Sequence, residues 1–427
     1  MRLAVFAATA FAVSVVTYAI PATAAPSSPP LPGAAPEQAG FSVEGLARID
    51  RFFDREIAAH QIPGAVVAIA REGKLVYYKA FGRLRPDGPD LMPLDAIFSI
   101  ASMTKPMAAV GGLVLMEEGR LPMHSRLSDY FPEFAEMKVG TEEPGGAMAL
   151  RPAASPVYIQ DLYRHTAGMV YGARGHTPMH KLYPPSSAGA ATTLTGAQFV
   201  EKLAAAPLLH DPGTYWDYSL SVDLLGLVIE HVAGERLDTY LRHVLWGPAG
   251  MHDTGFEVPK DQRARIALPL PNDPLTNKPQ HLVLVDTPAK FDCAGGCAFG
   301  TVGDYLRFGQ MLLNGGTIDG HRVLSPRTVA YMTSDQLPTD VPSRVGGTET
   351  QREGYGFGLT VAVRTHPGIA AVPGSVGDYM WNGANGTIWW NDPAQKLVVV
   401  AGVAAPGELR QYLREEMADL VYGAMSR

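Results

Sequence analysis

The sequence predicts an α/β (α+β) fold in which one antiparallel sheet, built from both ends of the chain, is flanked by helices. Strand-like runs occur near the start, at residues 65–70 and 75–81, and again between residues 355 and 403. The chain between these runs has helical spacing or loop composition. Because the strands lie at the two ends, the simplest topology joins them in a single sheet and inserts a mainly helical domain in the middle.

Composition and charge are those of an ordinary globular protein. Of the 427 residues, 46% are hydrophobic and 18% are charged, which is enough to bury one large core or two cooperating ones. The formal net charge of -7 provides no basic surface for nucleic acid. The composition therefore predicts a small-molecule substrate and no nucleic-acid partner, and it does not determine the oligomeric state.

The N-terminal residues predict a cleavable secretory signal peptide. Arg2 provides a short basic start, residues 3–20 form an apolar run, and the Ala-Thr-Ala at residues 22–24 is a small-x-small cleavage site. The run is nearly long enough to be a membrane anchor, but the serine and threonines within it favour cleavage after Ala24. Residues 25–40 then read as a Pro-rich tether. We expect a periplasmic or secreted protein with no integral membrane domain.

The first elements of the folded part are a helix and a hairpin. Residues 40–60 carry apolar side chains at helical spacing, and Pro63-Gly64 ends this helix. The runs at 65–70 and 75–81 are separated by four residues that include a glycine, which is a hairpin signal. Residues 102–118 again have helical spacing.

The rest of the chain contains two long loops, further helices and the remaining strands. Loops rich in Gly, Pro, Ala and Ser are predicted at residues 140–156 and 172–193, and loops of this length usually border a site or are disordered. Predicted helices cover residues 220–234, 302–314 and 407–424, and predicted strands cover residues 355–363, 386–390 and 397–403. These elements assign residues 41–110 and 295–427 to the α/β domain and residues 111–294 to the mainly helical domain.

Only two cysteines are present, Cys293 and Cys297. In an oxidising compartment they could close a local disulfide, and a buried unpaired state is equally compatible with the sequence because a bridge over three residues needs a particular turn. Two thiols do not form a structural zinc site, and no metalloprotease or P-loop motif occurs, so we expect neither a metal nor a cofactor.

The motif Ser102-Met103-Thr104-Lys105 is the candidate for chemistry. It is the one place in the chain where a lysine follows a serine at a spacing of three residues. Ser102 opens a predicted helix, so the serine and Lys105 share a helical face and their side chains can meet. The start of a helix also directs backbone N–H groups at a developing oxyanion. This arrangement is typical of a serine nucleophile with a lysine base.

The spacing alone does not exclude a purely structural interpretation. In that interpretation Ser102 caps the helix and Lys105 is a solvated side chain, because a serine three residues before a lysine occurs by chance in most chains of this length. The nucleophile interpretation also requires a neutral lysine, which burial and a polar network could provide. The surrounding motifs decide between the two.

Several segments in order resemble the serine β-lactamase and penicillin-recognising superfamily, in particular class C β-lactamases, DD-peptidases and family VIII carboxylesterases. The similar segments are residues 98–106 around the serine, 159–168, 212–219, 295–316 and 381–393. They extend over almost the whole chain after the leader. The resemblance implies a β-lactamase/transpeptidase-like fold and a serine hydrolase.

The resemblance also implies roles for further residues. Tyr218, in the segment that resembles P-G-x-x-W-x-Y-S, would share the base role with Lys105 and protonate the leaving group. Trp381-Asn382-Gly383 stands where β-lactamases have Lys-Thr-Gly, and this W-x-G form resembles that of family VIII esterases. Ala384, after Gly383, would supply the second oxyanion N–H beside that of Ser102.

Two departures from β-lactamases predict the substrate class. Leu220 stands where those enzymes have an asparagine for the substrate amide, and Trp381 stands where they have a cationic anchor for the substrate carboxylate. Both changes favour an apolar pocket for short neutral esters. Trp216 and Tyr379 lie beside site motifs and are pocket candidates, although core packing is an equal alternative for both.

Other functions stay open at this stage. Within the same fold the alternatives are a β-lactamase, a D-amino-acid peptidase or another amide hydrolase, and a non-catalytic penicillin-binding-like protein. His165 is the best histidine for a conventional triad, but the resemblance makes its segment structural. An intact Ser102, Lys105 and Tyr218 argue against a silent protein.

Overall fold

The computed structural model describes residues 29–341 and 344–426. The predicted signal peptide (residues 1–24) and the first residues of the predicted tether lie outside the described residues. Within the described ranges, no helix has the length and apolar character needed to cross a lipid bilayer.

A mixed architecture of strands and helices is present, as the sequence predicts. The strands are β1 (Gly64–Arg71), β2 (Lys74–Gly82), β3 (Ile97–Ser99), β4 (Lys138–Glu142), β5 (Met148–Pro152), β6 (Phe299–Thr301), β7 (Thr317–Ile318), β8 (His321–Arg322), β9 (Tyr355–Phe357), β10 (Ala362–Arg364), β11 (Tyr379–Met380), β12 (Ile388–Asp392) and β13 (Leu397–Val403). The α-helices are α1 (Val43–Ala58), α2 (Thr104–Glu117), α3 (Ile159–Arg164), α4 (Ser187–Thr193), α5 (Gly196–Ala205), α6 (Ser221–Ala233), α7 (Leu237–Leu241), α8 (Val283–Asp286), α9 (Val302–Leu313), α10 (Pro326–Met332) and α11 (Leu409–Gly423).

The large sheet has seven antiparallel strands and joins the two ends of the chain. Its strand order is β2-β1-β13-β12-β11-β10-β9, so the N-terminal hairpin pairs directly with the last strand. In this pairing Val67 lies opposite Ala401, and Ile69 lies opposite Val399. The predicted topology is therefore confirmed.

Both faces of the central strands are covered, which explains why β1 is apolar from Gly64 to Ala70. Side chains of β1 alternate between two clusters: Val67 and Ile69 pack beneath α1 and α11, whereas Val66 points into the cluster that contains α9. The helix α9 packs on β1 and β13. Fully burying an aliphatic side chain of this kind stabilises the fold by roughly 1.5 to 3 kcal/mol.

Helix α1 forms where its sequence pattern predicts a helix. Ser42 caps its N-terminus, since its Oγ accepts the backbone N–H of Gly45 at 3.2 Å. Ile49 and Phe53 are fully buried and lie on the face that meets the sheet. The helix thereby closes one side of the sheet beside α11.

The helical part of the chain is built around α2, which is buried along nearly its whole length and packs against α6. Side chains from both predicted domains, such as Val400 in the sheet and Leu224 in α6, belong to one hydrophobic cluster. The predicted domain boundaries at residues 110/111 and 294/295 stay a prediction.

Three segments differ from the sequence expectation. Residues 29–40, assigned to a tether, pack on the body: Leu31 is buried and the backbone of Ala34 bonds to Leu75. The predicted loop at 140–156 contains the hairpin of β4 and β5. The predicted strand 355–363 is interrupted at Thr360, whose φ of 69° is left-handed. Contacts with a distant strand hold residues 29–40, whereas local hairpin pairing forms β4 with β5 and β9 with β10.

Candidate active site

Ser102 lies in a short 3-10 turn, Ala101–Met103, between β3 and the first residue of α2. Ala101 has a φ of 46°, a left-handed conformation that costs a non-glycine residue roughly 1 to 2 kcal/mol. The turn is held by Thr104, whose Oγ1 donates to the Ala101 carbonyl at 2.7 Å. Thr104 Oγ1 also accepts the backbone N–H of Ala298 at 3.0 Å. The fold therefore fixes the serine in a strained turn instead of a regular helix.

Tyr218 and Lys105 both contact the Ser102 hydroxyl. The Tyr218 OH donates to Ser102 Oγ at 2.7 Å, and Lys105 Nζ lies 3.4 Å from the same oxygen. Lys105 Nζ also lies 4.6 Å from the centroid of the Tyr218 ring. The structure thus brings together the three residues that the sequence resemblance assigned to the reaction, across 116 positions of chain.

The environment of Tyr218 favours its ionised form. Burial alone would raise the pKa of the Tyr218 phenol, but the charge of Lys105 and hydrogen bonds from Lys105, Ser102 and Trp381 lower this pKa below its ordinary value. Trp381 contributes through Nε1, which donates to the Tyr218 OH at 3.2 Å. A lowered pKa increases the fraction of phenolate near neutral pH, and the phenolate is the form that accepts a proton.

Lys105 is fully buried and its other contacts were not anticipated from the sequence. Its Nζ donates to the Gly295 carbonyl at 2.6 Å and to the Tyr171 OH at 3.1 Å. The Tyr171 OH is in turn hydrogen-bonded to Ser187 Oγ at 2.9 Å. These bonds fix the amine at the serine and satisfy its donors.

Asp223 closes this network from the opposite side. Its carboxylate accepts hydrogen bonds from Ser187 Oγ at 2.7 Å and from the Gly295 backbone N–H at 2.9 Å. Burial raises the pKa of Asp223 to about 6, and the nearby charge of Lys105 and these hydrogen bonds oppose that rise. A Cβ added at Gly295 would collide with the Asp223 carboxylate, so glycine is required there. Asp223 and Lys105 are therefore linked through Gly295 on one path and through Ser187 and Tyr171 on the other.

The sequence contained one signal for this network. Asp223 is an acidic residue inside an apolar helix, five positions after Tyr218, and a buried carboxylate normally has a partner. Tyr171 and Ser187 lie in or beside the predicted loop at 172–193, whose side chains no periodicity assigns to the site.

We expect Asp223→Asn and Ser187→Ala to lower kcat by about 10- to 100-fold, the effect of losing a hydrogen bond to a charged group. The loss should arise because Lys105 is no longer held against Ser102. Steady-state kinetics with a chromogenic ester and a thermal melt would check it. Ser221→Ala is the matched control. It removes a buried hydroxyl from the helix that carries Asp223, and this hydroxyl is hydrogen-bonded to Ser219 and not to Asp223. Wild-type kcat in both network variants would contradict this role.

The cysteines flank the same segment. Cys293 and Cys297 form a disulfide with Cα atoms 5.2 Å apart, which decides between the two states that the sequence left open. The tight turn required for this bridge is present, since the backbone N–H groups of Gly296 and Cys297 both donate to the Cys293 carbonyl. The disulfide therefore closes the loop that carries the Gly295 carbonyl.

Backbone N–H groups suited to an oxyanion lie at Ser102 and Ala384. Both residues line the cavity in front of the serine, and within the described part of the chain neither N–H donates to another protein group. Gly383 holds the second donor in place: its N–H donates to the Thr387 carbonyl at 2.9 Å, and its carbonyl accepts from Arg414. A Cβ at Gly383 would collide with Thr387 and the Ile100 carbonyl, so this position requires glycine.

Four other predicted pocket residues do not line this cavity. Trp381 is buried behind Tyr218 and reaches the site only through its hydrogen bond to the phenol. Leu220 is fully buried at the start of α6, and Trp216 packs against Phe357 with ring centroids 5.2 Å apart. Tyr379 packs against Trp389, on the far side of the sheet strand. The pocket roles of Leu220, Trp216 and Tyr379 are therefore corrected to core packing.

His165 is structural in its contacts. It is buried, its Nδ1 accepts the backbone N–H of Ser219 at 3.3 Å, and burial together with the charges of Lys105 and Arg174 lowers its pKa. Its ring packs edge-on against Tyr218 at 4.8 Å between centroids. It supports the tyrosine and does not contact Ser102.

The cavity in front of Ser102 has a volume of about 310 Å³, which suits a small ligand. Its walls come from the segment around Tyr171 and Arg174, from residues 185–188 and from residues 281–284. Because Arg174 lines it, the expectation of a purely apolar, aromatic pocket is also corrected. A larger cavity of about 570 Å³ lies beyond Leu284 and contains none of the reacting groups.

The fold and the serine, lysine and tyrosine geometry together define a serine hydrolase of the β-lactamase and transpeptidase-like class. Residues 49–422 match the Beta-lactamase family, and the chain belongs to this family.

Relatives within the family have several activities. The chain is 33% identical over 353 residues to Protein Rv1367c of Mycobacterium tuberculosis, covering 81% of this chain and 87% of that protein. It is 28% identical over 372 residues to Esterase EstB of Burkholderia gladioli, covering 83% and 89%. The solved structure of EstCE1, a hydrolase with promiscuous acyltransferase activity, superposes with a TM-score of 0.72 at 26% identity, covering 89% of this chain and 99% of that chain. Simvastatin synthase (LovD) from Aspergillus terreus shares the fold, with a TM-score of 0.76 at 20% identity and coverage of 89% and 98%.

Proposed function

We propose that the protein is a serine carboxylesterase that cleaves short-chain neutral esters through an acyl-enzyme on Ser102, in the manner of family VIII carboxylesterases. The observation that carries the proposal is the 2.7 Å hydrogen bond between Tyr218 and Ser102, with Lys105 buried beside both. Similarity to Esterase EstB and to EstCE1 supports the ester class.

The geometry supports acylation in the following way. In the reactive state Tyr218 is a phenolate beside the positive charge of Lys105, and the Ser102 hydroxyl donates to it. Ser102 Oγ attacks the ester carbonyl carbon and its proton passes to the phenolate oxygen. The oxyanion accepts hydrogen bonds from the backbone N–H groups of Ser102 and Ala384. When the carbon–oxygen bond to the alcohol breaks, the Tyr218 phenol returns the proton to the leaving oxygen.

Deacylation reverses the roles of the same groups. Water enters the 310 Å³ cavity after the alcohol leaves, and the Tyr218 and Lys105 unit takes a proton from it as it attacks the acyl carbon. Collapse of the second oxyanion releases the carboxylic acid and restores the Ser102 hydroxyl.

Two positions favour esters over lactams. Leu220 is packed in the core and presents no amide to a substrate side chain, and Trp381 uses its one polar atom on Tyr218. The asparagine and the lysine that the resemblance to β-lactamases would place at these positions are therefore both absent. An ester needs neither contact.

We expect kcat/KM for p-nitrophenyl butyrate to exceed that for nitrocefin by about 10- to 100-fold, the effect of losing the charged hydrogen bond from a lysine at position 381 that would orient a lactam. Arg174 belongs to the Tyr171 side of the cavity and does not replace that orienting contact. Trp381→Lys should shift the ratio toward nitrocefin, incompletely while Leu220 remains. Trp381→Phe is the control, because it removes the Nε1 donor without adding charge. If nitrocefin is hydrolysed as efficiently as the butyrate ester, the result would favour the β-lactamase alternative. A D-Ala-D-Ala peptide in the same substrate panel tests the peptidase alternative.

Export belongs to the same proposal. The predicted signal peptide and the Cys293–Cys297 disulfide are both consistent with a periplasmic or secreted protein, because disulfides persist in oxidising compartments. N-terminal sequencing of the mature protein tests cleavage after Ala24.

A further inference from the structure

We propose that Arg174 is an anion anchor of the catalytic cavity and that the preferred esters carry a carboxylate away from the bond that is cleaved. This inference rests on the proposed esterase function and adds the chemical class of the substrate. It replaces the expectation that a carboxylate in this cavity would meet no opposing charge.

Arg174 belongs to the wall of the same cavity as Ser102. It ends the 3-10 turn Gly172–Arg174, directly after Tyr171, which contacts Lys105. Its guanidinium carbon lies 5.4 Å from the centroid of the Tyr218 ring. When the ester group of a substrate is bound at Ser102, the rest of the substrate can therefore reach this guanidinium by extending toward the turn.

The basic side chains among the described residues of the cavity wall have no carboxylate counterpart there. Arg174 is the one permanently charged side chain among the described residues that line the cavity, and no aspartate or glutamate lines it in that part of the chain. His281 is the other basic side chain on the wall. A carboxylate entering this space meets a positive field without a competing carboxylate.

The guanidinium of Arg174 is available to a ligand. Its side chain is exposed, and it forms no hydrogen bond or ion pair with any residue between 29 and 341 or between 344 and 426. By contrast, the nearby Arg164 is paired with Asp161 at 3.1 Å. A planar guanidinium with free donors matches a carboxylate by two parallel hydrogen bonds.

The charges around Arg174 do not cancel it. Burial raises the pKa of Asp217 to about 6, and the charge of Arg174 has the smaller effect of lowering this pKa. The Asp217 carboxylate does not line the cavity and does not form an ion pair with Arg174. Lys105 and Arg344 add positive charge to the same region. Asp223 lies behind the cavity wall, where its carboxylate accepts hydrogen bonds from Ser187 and Gly295, and Gly295 also contacts Lys105.

The test compares two esters of equal shape, mono-p-nitrophenyl glutarate and its methyl ester. We expect wild-type kcat/KM to favour the carboxylate by about fivefold, the upper range for a partly exposed ion pair, and this preference should fall at high salt. Arg174→Gln should remove the preference, and Arg174→Lys should retain part of it. Arg344→Gln is the control, since it removes the same charge from a residue that packs on Tyr215 outside the cavity.

A second measurement separates this inference from the esterase proposal. Rates of covalent reaction of Ser102 with a pair of fluorophosphonates, one carrying a carboxylate and one its methyl ester, need no ester turnover. Faster reaction of the carboxylate probe, lost in Arg174→Gln, supports the anchor even if esters are not hydrolysed. Equal rates for both probes in the wild-type protein, or a preference unchanged in Arg174→Gln, would overturn it while leaving ester hydrolysis unaffected.

Discussion

Replacing Ser102 by alanine should lower kcat for ester hydrolysis by about 10⁴-fold or more, as loss of a nucleophile typically does. The reason is that, among the described residues that line the cavity, no other hydroxyl is hydrogen-bonded to both Tyr218 and Lys105. The Ser99 hydroxyl, for example, accepts a hydrogen bond from Asn385. Intact-mass measurement after treatment with a fluorophosphonate gives a direct check. The wild-type protein should gain one adduct, and Ser102→Ala should gain none.

Ser99→Ala provides the matched control for this experiment. Ser99 lines the same cavity but does not contact the lysine or the tyrosine. We expect this variant to be labelled at Ser102 like the wild type. The assignment of the nucleophile is wrong if Ser102→Ala keeps more than a tenth of the wild-type activity.

The second large effect concerns the base. Lys105→Ala and Tyr218→Phe should each lower kcat by about 10³-fold or more, and the double variant should be scarcely worse than either single variant. Non-additivity is expected because both side chains hydrogen-bond to the same oxygen and act as one unit. A double-mutant cycle on kcat measures it. Losses that simply add would indicate two independent roles.

Tyr171→Phe is the control for the cycle. Its hydroxyl contacts Lys105 but not Ser102, so the loss should be smaller and should resemble that of the Ser187 and Asp223 variants. This graded series distinguishes the groups that move the proton from those that hold the lysine.

The base also sets the sign of the pH dependence. The Tyr218 phenol must be ionised to accept the serine proton, so kcat/KM should fall as pH drops below the pKa of this phenol. Because the pKa of Tyr218 is lowered, the inflection should lie below that of a free phenol. Tyr218→Phe should move the inflection in the activity that remains.

The sequence by itself determined that strands from both ends of the chain form one antiparallel sheet and that a mainly helical stretch lies between them. Period and apolar composition are local properties, so the hairpin at 65–81, α9 and α11 were predictable from neighbouring residues. Ser102 and Lys105 were linked by spacing within a few positions. Tyr218 was assigned only through resemblance of its segment, since one tyrosine among 17 has no distinguishing pattern of its own.

Tertiary structure alone decided the surroundings of these groups. Asp223 and Gly295 are 72 positions apart, and Lys105 and Gly295 are 190 positions apart, so their contacts depend on how α2, α6 and the disulfide loop pack together. Tertiary structure also decided that Tyr379 and Leu220 lie in the core and not on the cavity wall. An apolar face of a strand or helix has the same sequence pattern whether it meets a core or a ligand. Arg174 reads as an ordinary loop arginine in sequence, and its position over Tyr218 arises only when the loop folds onto the site.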